Sequence, residues 1–420
     1  MGIAGGAGMQ GSKRERVGML SALAVGEFRA MWLAELLSSG GDQLARVALS
    51  VLVYQRTNSA ALTGLTYALT FVPQLAGGIL LSWPADRYPR REVMIAADIV
   101  RAALVAGMAV PGTPLWLLCV LVAVTTFTNA PFKAAQGALL PDVLRSERLF
   151  TAGMNLRSMC SQFVQLLAFS LGGFLVSAID PNLALGLNAG TFVASAVILA
   201  VAVTRRPPPS APGTRPASLG STWQVARQTW RDPRQRALVG VMWLATFYVV
   251  PEALAAPYAA SLGTGAVAVG LLMAADPIGS IIGSVTLRWL PPKTGVRLIG
   301  VFGIVAGLPL VLCVLHPGLV TSMILFGIGG VLATWYHVQG SAQFTLGLPE
   351  AQRGQGAGLL STGLQTGQGL GALAAGLVAD QIGAADTIAL AGGLGVITAV
   401  PLAALWARAR AGRAELPEKT

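Results

Sequence analysis

Several acidic residues lie inside long apolar stretches of the sequence. Inserting an ionisable group at the centre of a membrane helix costs about 2.5–3.5 kcal/mol. A charge placed there at that cost is a candidate for function. Burial away from water favours the neutral form of an unpaired carboxyl group, so such a group can bind and release a proton. The candidates for proton coupling are Asp276, Glu252, Asp42 and Glu35.

Glu252 and Asp276 are the foremost of these candidates, because neither has a basic residue within one turn of its own predicted helix. Each is next to a proline, Pro251 or Pro277, and a proline can open the helix backbone locally. Two other interpretations stay open. Glu252 can lie at the outer mouth of a cavity, and Asp276 can have a partner on another helix.

Two further acidic residues have an arginine nearby on the same helix face. Arg46 follows Asp42 by four residues and Arg101 follows Asp98 by three, so each pair shares a face. The spacing predicts two structural ion pairs, Asp42 with Arg46 and Asp98 with Arg101. Glu35 lies seven residues before Asp42 and therefore near the same face.

Amide and aromatic side chains recur at the depth where a transport cavity would lie. Aromatic walls with a few amides suit a bulky amphipathic organic molecule. The alternatives are interface belts for Tyr and Trp and bridges between helices for the amides. The candidates for substrate binding are Tyr67, Gln74, Asn129, Gln162, Gln165, Tyr248, Trp335, Tyr336, Gln339, Gln365 and Gln368.

Composition places these residues in a membrane protein. Of the 420 residues, 54% are hydrophobic and only 11% are charged, against about 25% charged residues in soluble domains. A span needs about 20 mostly apolar residues. That window predicts an all-α protein with twelve transmembrane helices near 29–54, 61–83, 93–110, 115–138, 149–178, 184–204, 237–259, 266–289, 296–315, 318–344, 353–379 and 385–407.

The basic residues alternate between successive loops, as the positive-inside rule requires. With the N-terminus inside, Arg56 is the single Lys or Arg in an outside loop. We therefore predict a multi-pass protein of the bacterial plasma membrane with both termini cytoplasmic. Its regions are a cytoplasmic tail 1–28, a six-helix bundle 29–204, a cytoplasmic linker 205–236, a second six-helix bundle 237–407 and a cytoplasmic tail 408–420.

The linker and an internal repeat support two pseudo-symmetric halves. The first part of the linker is rich in proline and cannot be helical. The second part can form a basic amphipathic helix around Trp223, Val225 and Trp230 at the inner membrane face, or serve as a plain tether. The repeat relates Gln162, Gln165 and Gly173 to Gln365, Gln368 and Gly376. Parallel six-helix repeats are typical of one large transporter class.

A charged motif follows the second predicted helix, Ser82-Trp-Pro-Ala-Asp86-Arg87-Tyr-Pro-Arg90-Arg91. With it the chain resembles the major facilitator superfamily, and within it the bacterial twelve-helix drug, macrolide and siderophore exporters. The family pattern has glycine where Ser82 and Pro89 stand. The resemblance implies gating by Asp86, Arg87, Arg90 and Arg91. Asp86 would dock at the N-terminus of helix eleven, whose dipole is positive.

The resemblance implies secondary active export of drugs, antibiotics or siderophores by alternating access, coupled to protons as in multidrug resistance efflux. An importer of a nutrient or metabolite is the alternative, since Ala168 and Phe169 stand where the antiporter motif has Gly-Pro. No catalytic cluster, nucleotide loop or metal-ligand spacing is visible in the sequence. We expect no enzyme activity, cofactor, metal, nucleic acid or obligatory protein partner, and expect a small-molecule substrate, protons and the lipid bilayer as partners.

Overall fold

The structure is a computed structural model that describes residues 19–81, 83–207, 219–349 and 352–414. Within those ranges the regular structure is entirely helical. In the first half the α-helices are α1 (Gly26–Thr57), α2 (Ala60–Ala68), α3 (Val72–Leu80), α4 (Pro84–Arg87), α5 (Arg90–Met108), α6 (Leu115–Val143), α7 (Glu147–Ala178) and α8 (Pro181–Ala202).

The second half begins after the linker helix α9 (Leu219–Arg231). It contains α10 (Pro233–Trp243), α11 (Ala245–Tyr248), α12 (Val250–Ala253), α13 (Ala255–Ser261), α14 (Ala266–Thr286), α15 (Pro292–Val311), α16 (Leu319–Leu346), α17 (Arg353–Ile382) and α18 (Ala384–Ala414). Short 3₁₀ turns occupy Met19–Ala24, Leu287–Trp289 and Leu312–Leu315.

These elements form twelve helical stretches of membrane length in the described ranges, because α2 with α3, and α10 to α13, each continue one path. Eight helices are long and apolar enough to span a membrane by length and composition alone. The other four stretches are α1, α2 with α3, α5 and α17. The helices α2 and α3 have nine residues each, and α1, α5 and α17 carry more charged or small polar residues. The all-α, twelve-helix fold class predicted from the sequence is confirmed.

Two predicted helices are interrupted rather than continuous. The second one bends between α2 and α3, just before Pro73. The seventh is divided into α10 to α13 by turns at Leu244, Val249 and Leu254, of which the last two come shortly before Pro251 and Pro257. Proline lacks the N–H that the helix ladder needs, which explains the breaks that precede a proline. Pro277 behaves differently, since α14 is continuous through it.

The bundle has two ends, which are named here by the chain segments they carry. The linker end carries Thr204 to Pro207 and α9, and the distal end carries the turns at Asn58, Gly263 and Gly383. The helix α9 forms where the sequence predicted an amphipathic helix. Its Val225 is buried, whereas Trp223 is 73% exposed.

The two halves touch closely at the distal end through glycines. A β-carbon added to Gly64 of α2 would lie 2.6 Å from the carbonyl oxygen of Ala372 and 3.0 Å from the Cα of Gly376, both in α17. In the second crossing, a β-carbon on Gly173 of α7 would lie 2.8 Å from the Cα of Gly270 in α14. Gly173 and Gly376, which the sequence repeat relates, therefore occupy equivalent crossings between the halves.

Candidate functional site

A polar cavity lies inside the first half, between α1, the bend after α2, α3, α5, α6 and α8. It brings together two amides predicted to bind substrate, Gln74 and Asn129, with charged residues from α1 and α5. The polar residues of its wall are Asp42, Arg46, Thr70, Gln74, Arg101, Thr125, Thr126, Asn129 and Asn188.

The buried charges beside this cavity form a chain centred on Arg101. The Arg101 guanidinium lies 2.6 Å from Asp42 Oδ2 and 3.5 Å from Asp98 Oδ1. Asp98 is fully buried and accepts a hydrogen bond of 2.5 Å from Ser195. The predicted pairing of Asp98 with Arg101 is therefore present, and it is shared with Asp42.

The predicted pairing of Asp42 with Arg46 is wrong. The Arg46 guanidinium lies over aromatic rings instead, 4.7 Å from the centroid of Phe71 and 5.9 Å from that of Tyr67. Asp42 pairs instead with Arg101 of α5, which contacts Asp42 and Asp98 at the same time. Within the described ranges Arg46 has no hydrogen bond and no ion pair. Spacing along one helix could not reveal a partner on another.

A hydrogen bond joins the two halves next to Arg46. The Tyr67 hydroxyl of α2 donates to Glu252 Oε2 of α12 over 2.5 Å. Arg46 lies within electrostatic range of Glu252, and Glu252 within range of Asp276. Tyr67, predicted to bind substrate, is 2% exposed and contacts a predicted proton site instead. The break around Pro251 places Glu252 at this contact, not at an outer mouth.

Asp276 lies on the continuous helix α14, against the Gly330 region of α16. A β-carbon at Gly330 would lie 2.9 Å from Asp276 Oδ1, so glycine makes room for the carboxyl group. Among the described residues Asp276 has no hydrogen bond and no ion pair. It is thus a carboxyl group inside the membrane that has a second carboxyl group, Glu252, as its charged neighbour.

Glu35, the fourth proton candidate, belongs to a different kind of site. Its carboxylate accepts two hydrogen bonds from Arg157, of 2.6 and 2.7 Å. Lys133 lies 3.0 Å away, and Gln136 donates to the same group over 3.1 Å. Two cationic partners compensate the charge of Glu35. Sequence reasoning missed Arg157, although an arginine inside the apolar stretch of α7 was the available signal.

The predicted substrate residues of the second half divide into packing and half-buried positions. Tyr336 is fully buried and packs edge-on against Tyr248, whose hydroxyl donates to the Gly303 carbonyl over 2.6 Å. Trp335 donates to the Gly283 carbonyl over 3.0 Å. These contacts stay within the second half. Gln339, Gln365 and Gln368 are half-buried, as are Gln162 and Gln165 of the first half.

The predicted gating motif binds within the first half. Arg90 lies 2.6 Å from Asp142 of α6, and Arg91 donates to the carbonyls of Leu199 and Ala200. Arg87 is exposed. The side chain of Asp86 lies outside what the structure describes.

The sequence profile of the Major Facilitator Superfamily matches residues 31–347. The chain belongs to this superfamily. It is 27% identical over 268 residues to the uncharacterized MFS-type transporter YjbB of Bacillus subtilis, covering 61% of this chain and 64% of that one. It is 28% identical over 268 residues to the enterobactin exporter EntS of Citrobacter koseri, covering 62% of each. The match therefore spans less than two thirds of these relatives.

Solved transporter structures share the fold. The nucleoside transporter NupG superposes with a TM-score of 0.71 at 14% identity, covering 90% of this chain and 99% of that one. A bacterial homologue of the human lysosomal transporter Spinster, in an inward-facing conformation, gives a TM-score of 0.69 at 15% identity over 91% of this chain and 96% of that one. At such identities the likeness concerns the fold alone.

Proposed function

We propose that this protein is a proton-coupled exporter of small amphipathic organic molecules that works by alternating access. The observation that carries the proposal is the hydrogen bond between Tyr67 and Glu252. It joins the two halves through a group that can gain and lose a proton. A proton taken up by Glu252 removes the charge that Tyr67 and Arg46 face. Protonation therefore changes the contact between the halves that alternating access must break.

The surroundings of the membrane carboxyl groups support Glu252 and Asp276 as the groups that exchange protons. Glu35, Asp42 and Asp98 each lie within 4.0 Å of a basic side chain. Neither Glu252 nor Asp276 has such a neighbour in the described ranges. A buried carboxyl group without a cation costs less when neutral. Glu252 and Asp276 together are thus the proton site that we propose.

The closed distal end supports an inward-open state. The positive-inside rule places the basic linker end in the cytoplasm. The glycine crossings then seal the periplasmic side, so substrate enters from the cytoplasm in this state. On this orientation both chain termini and the linker are cytoplasmic, and the gating motif from Asp86 to Arg91 lies at the end that must close before export.

The cavity of the first half and its surroundings favour an amphipathic substrate. Gln74 and Asn129 supply amides, and Phe71 with Arg46 supplies an aromatic and cationic surface. The EntS relatives, named as exporters of enterobactin, support export, and we propose siderophores, drugs or antibiotics as substrates.

The alternative is a proton-coupled importer of a nutrient or metabolite. The departure from the antiporter motif at Ala168 and Phe169 favours it. It predicts the opposite direction of flux on the same fold.

Transport into everted membrane vesicles tests the proposal. With an imposed proton gradient, acid inside, the vesicles should accumulate members of a panel of siderophores and antibiotics, and a protonophore should abolish accumulation. Glu252→Gln should abolish gradient-driven accumulation and keep downhill exchange. Glu92→Gln, which changes an exposed acid paired with Arg205, is the matched control. Accumulation only in right-side-out vesicles would show import. Undiminished accumulation in Glu252→Gln would remove Glu252 from coupling.

A further inference from the structure

A carboxylate of the second half caps a helix of the first half at the distal end. Asp380, in the last turn of α17, accepts a hydrogen bond of 2.6 Å from the backbone N–H of Ala60 through Oδ1. Its Oδ2 accepts hydrogen bonds from the Ser59 hydroxyl, at 2.8 Å, and from the N–H of Ala61, at 3.2 Å. The residues joined are about 320 positions apart along the chain.

The cap satisfies groups that α2 cannot satisfy by itself. The first N–H groups of a helix have no partner within the helix, and this end of the helix attracts negative charge. The Ser59 side chain reaches only the N–H of Leu62, at 3.2 Å. Asp380 provides acceptors for the first two N–H groups, of Ala60 and Ala61, and a full negative charge at the positive end of α2. The stabilising group for α2 therefore comes from the other half of the protein.

This contact depends on closure of the distal end. Gly64 and Gly376, one turn deeper in the same crossing, let the backbones of α2 and α17 approach closely. If the halves separate at this end, Asp380 moves away with α17 while Ser59, Ala60 and Ala61 stay with α2. The cap is then lost. The cap therefore stabilises only those states of the protein in which the distal end is closed.

The two crossings at this end differ in this respect. The helix α14, which crosses α7 at Gly270, begins after Gly265 and has no side-chain cap. The charged cap is found, among the described residues, on the crossing of α2 with α17.

The spacing around Asp380 matches that of the motif after helix two. Gly376, Asp380 and Gly383 lie at intervals of four and three residues, as do Ser82, Asp86 and Pro89. The helices α2 and α17 are antiparallel, so the end of α17 lies at the start of α2. An aspartate with this spacing therefore occurs near the end of α17 and again after the second transmembrane stretch.

We propose that Asp380 is the latch of the distal gate. Its carboxylate holds the distal end closed by capping α2 from the opposite half. Removing the charge shifts the resting protein toward a state open at the distal end and so alters the balance between the two states that transport requires. The latch acts on the conformational equilibrium and does not depend on the identity of the substrate or on proton coupling.

Cysteine accessibility measures this equilibrium without substrate or gradient. Ala372, fully buried beside Gly64, is changed to cysteine in a protein whose Cys119, Cys160 and Cys313 are replaced. In sealed vesicles of both orientations, a membrane-impermeant maleimide reports access from each side. Asp380→Asn should raise the labelling rate from the distal side by roughly two- to fivefold, the range that a charge at a helix terminus supports.

Two controls keep the result interpretable. Asp386→Asn changes a neighbouring acid whose partner, His316, lies in the same half at 3.3 Å, and it should leave labelling unchanged. Ser59→Ala removes one of the three hydrogen bonds to Asp380 and should raise labelling less than Asp380→Asn. The thermal unfolding midpoint shows that each variant is folded. Unchanged labelling in folded Asp380→Asn, or an equal rise in Asp386→Asn, would overturn the latch.

Discussion

The two halves share a helical plan and treat membrane carboxylates in opposite ways. In the first half Glu35, Asp42 and Asp98 each lie next to a guanidinium or an ammonium group. In the second half Glu252 accepts a single hydrogen bond, from a tyrosine of the other half. Asp276 has neither an ion pair nor a hydrogen bond with any described residue.

The difference distinguishes carboxylates that are fixed in ion pairs from carboxyl groups that can exchange a proton. A carboxylate paired with arginine gives up that interaction when it takes a proton, so its proton is unavailable to a transport cycle. A carboxyl group without a cation is stable when neutral and can exchange its proton when the cavity around it changes. Pseudo-symmetry of the backbone therefore does not extend to the charges. On the function proposed above, the first half provides fixed charge and the second provides the exchangeable sites.

The largest expected effect comes from breaking the Arg101 chain. Arg101→Gln leaves Asp98 and Asp42 without their shared cation, and removing one partner of a buried ion pair typically costs about 3–5 kcal/mol. The thermal unfolding midpoint in detergent should fall steeply. Arg46→Gln is the matched control, because Arg46 lies over aromatic rings and has no carboxylate within ion-pair distance among the described residues. Equal losses in the two variants would contradict the distinction between paired and unpaired arginines.

Next in size is the network around Glu35. Arg157→Gln removes two hydrogen bonds to a charged group, each worth about 1.5–3 kcal/mol. Lys133→Gln removes a contact whose lysine is 42% exposed, and exposed pairs contribute about 0–1 kcal/mol. Arg157→Gln should therefore lower the unfolding midpoint clearly more than Lys133→Gln. A larger loss in Lys133→Gln than in Arg157→Gln would show that Lys133 contributes most of the stability of this network.

The sequence predicted the helical elements well and the contacts between helices poorly. Apolar runs and alternating basic loops are properties of single segments, so the twelve stretches and the linker helix were predictable. The partner of Asp42 was not, because Arg101 lies 59 positions away on another helix. The same holds for Tyr67 with Glu252 and for Asp380 with α2, where the partners are in opposite halves. The break around Pro251 was suggested by the proline, whereas the continuity of α14 through Pro277 was not.

Removing the hydrogen bond between Tyr67 and Glu252 should have a smaller effect on the unfolding midpoint. Tyr67→Phe keeps the ring beneath Arg46 and loses the hydroxyl that Glu252 accepts. A single hydrogen bond contributes about 0.5–1.5 kcal/mol, so the unfolding midpoint should drop slightly while the ratio of gradient-driven to downhill flux changes. Tyr258→Phe is the control, because its hydroxyl contacts Pro317 and Ser322 within the second half. A coupling defect of the same size in Tyr258→Phe would contradict a specific role for Tyr67.

The smallest expected effect on stability comes from Asp276→Asn, and it sharpens the comparison most. The amide has nearly the shape of the carboxyl group and strands no cation, since the described residues offer Asp276 none within ion-pair distance. The unfolding midpoint should stay at the parent value, in contrast to Asp98→Asn, which deprives Arg101 of a partner. Gradient-driven accumulation in proteoliposomes should nevertheless fail while downhill exchange persists, because the asparagine cannot carry a proton. A variant that is both less stable and still coupled would place Asp276 with the fixed charges of the first half.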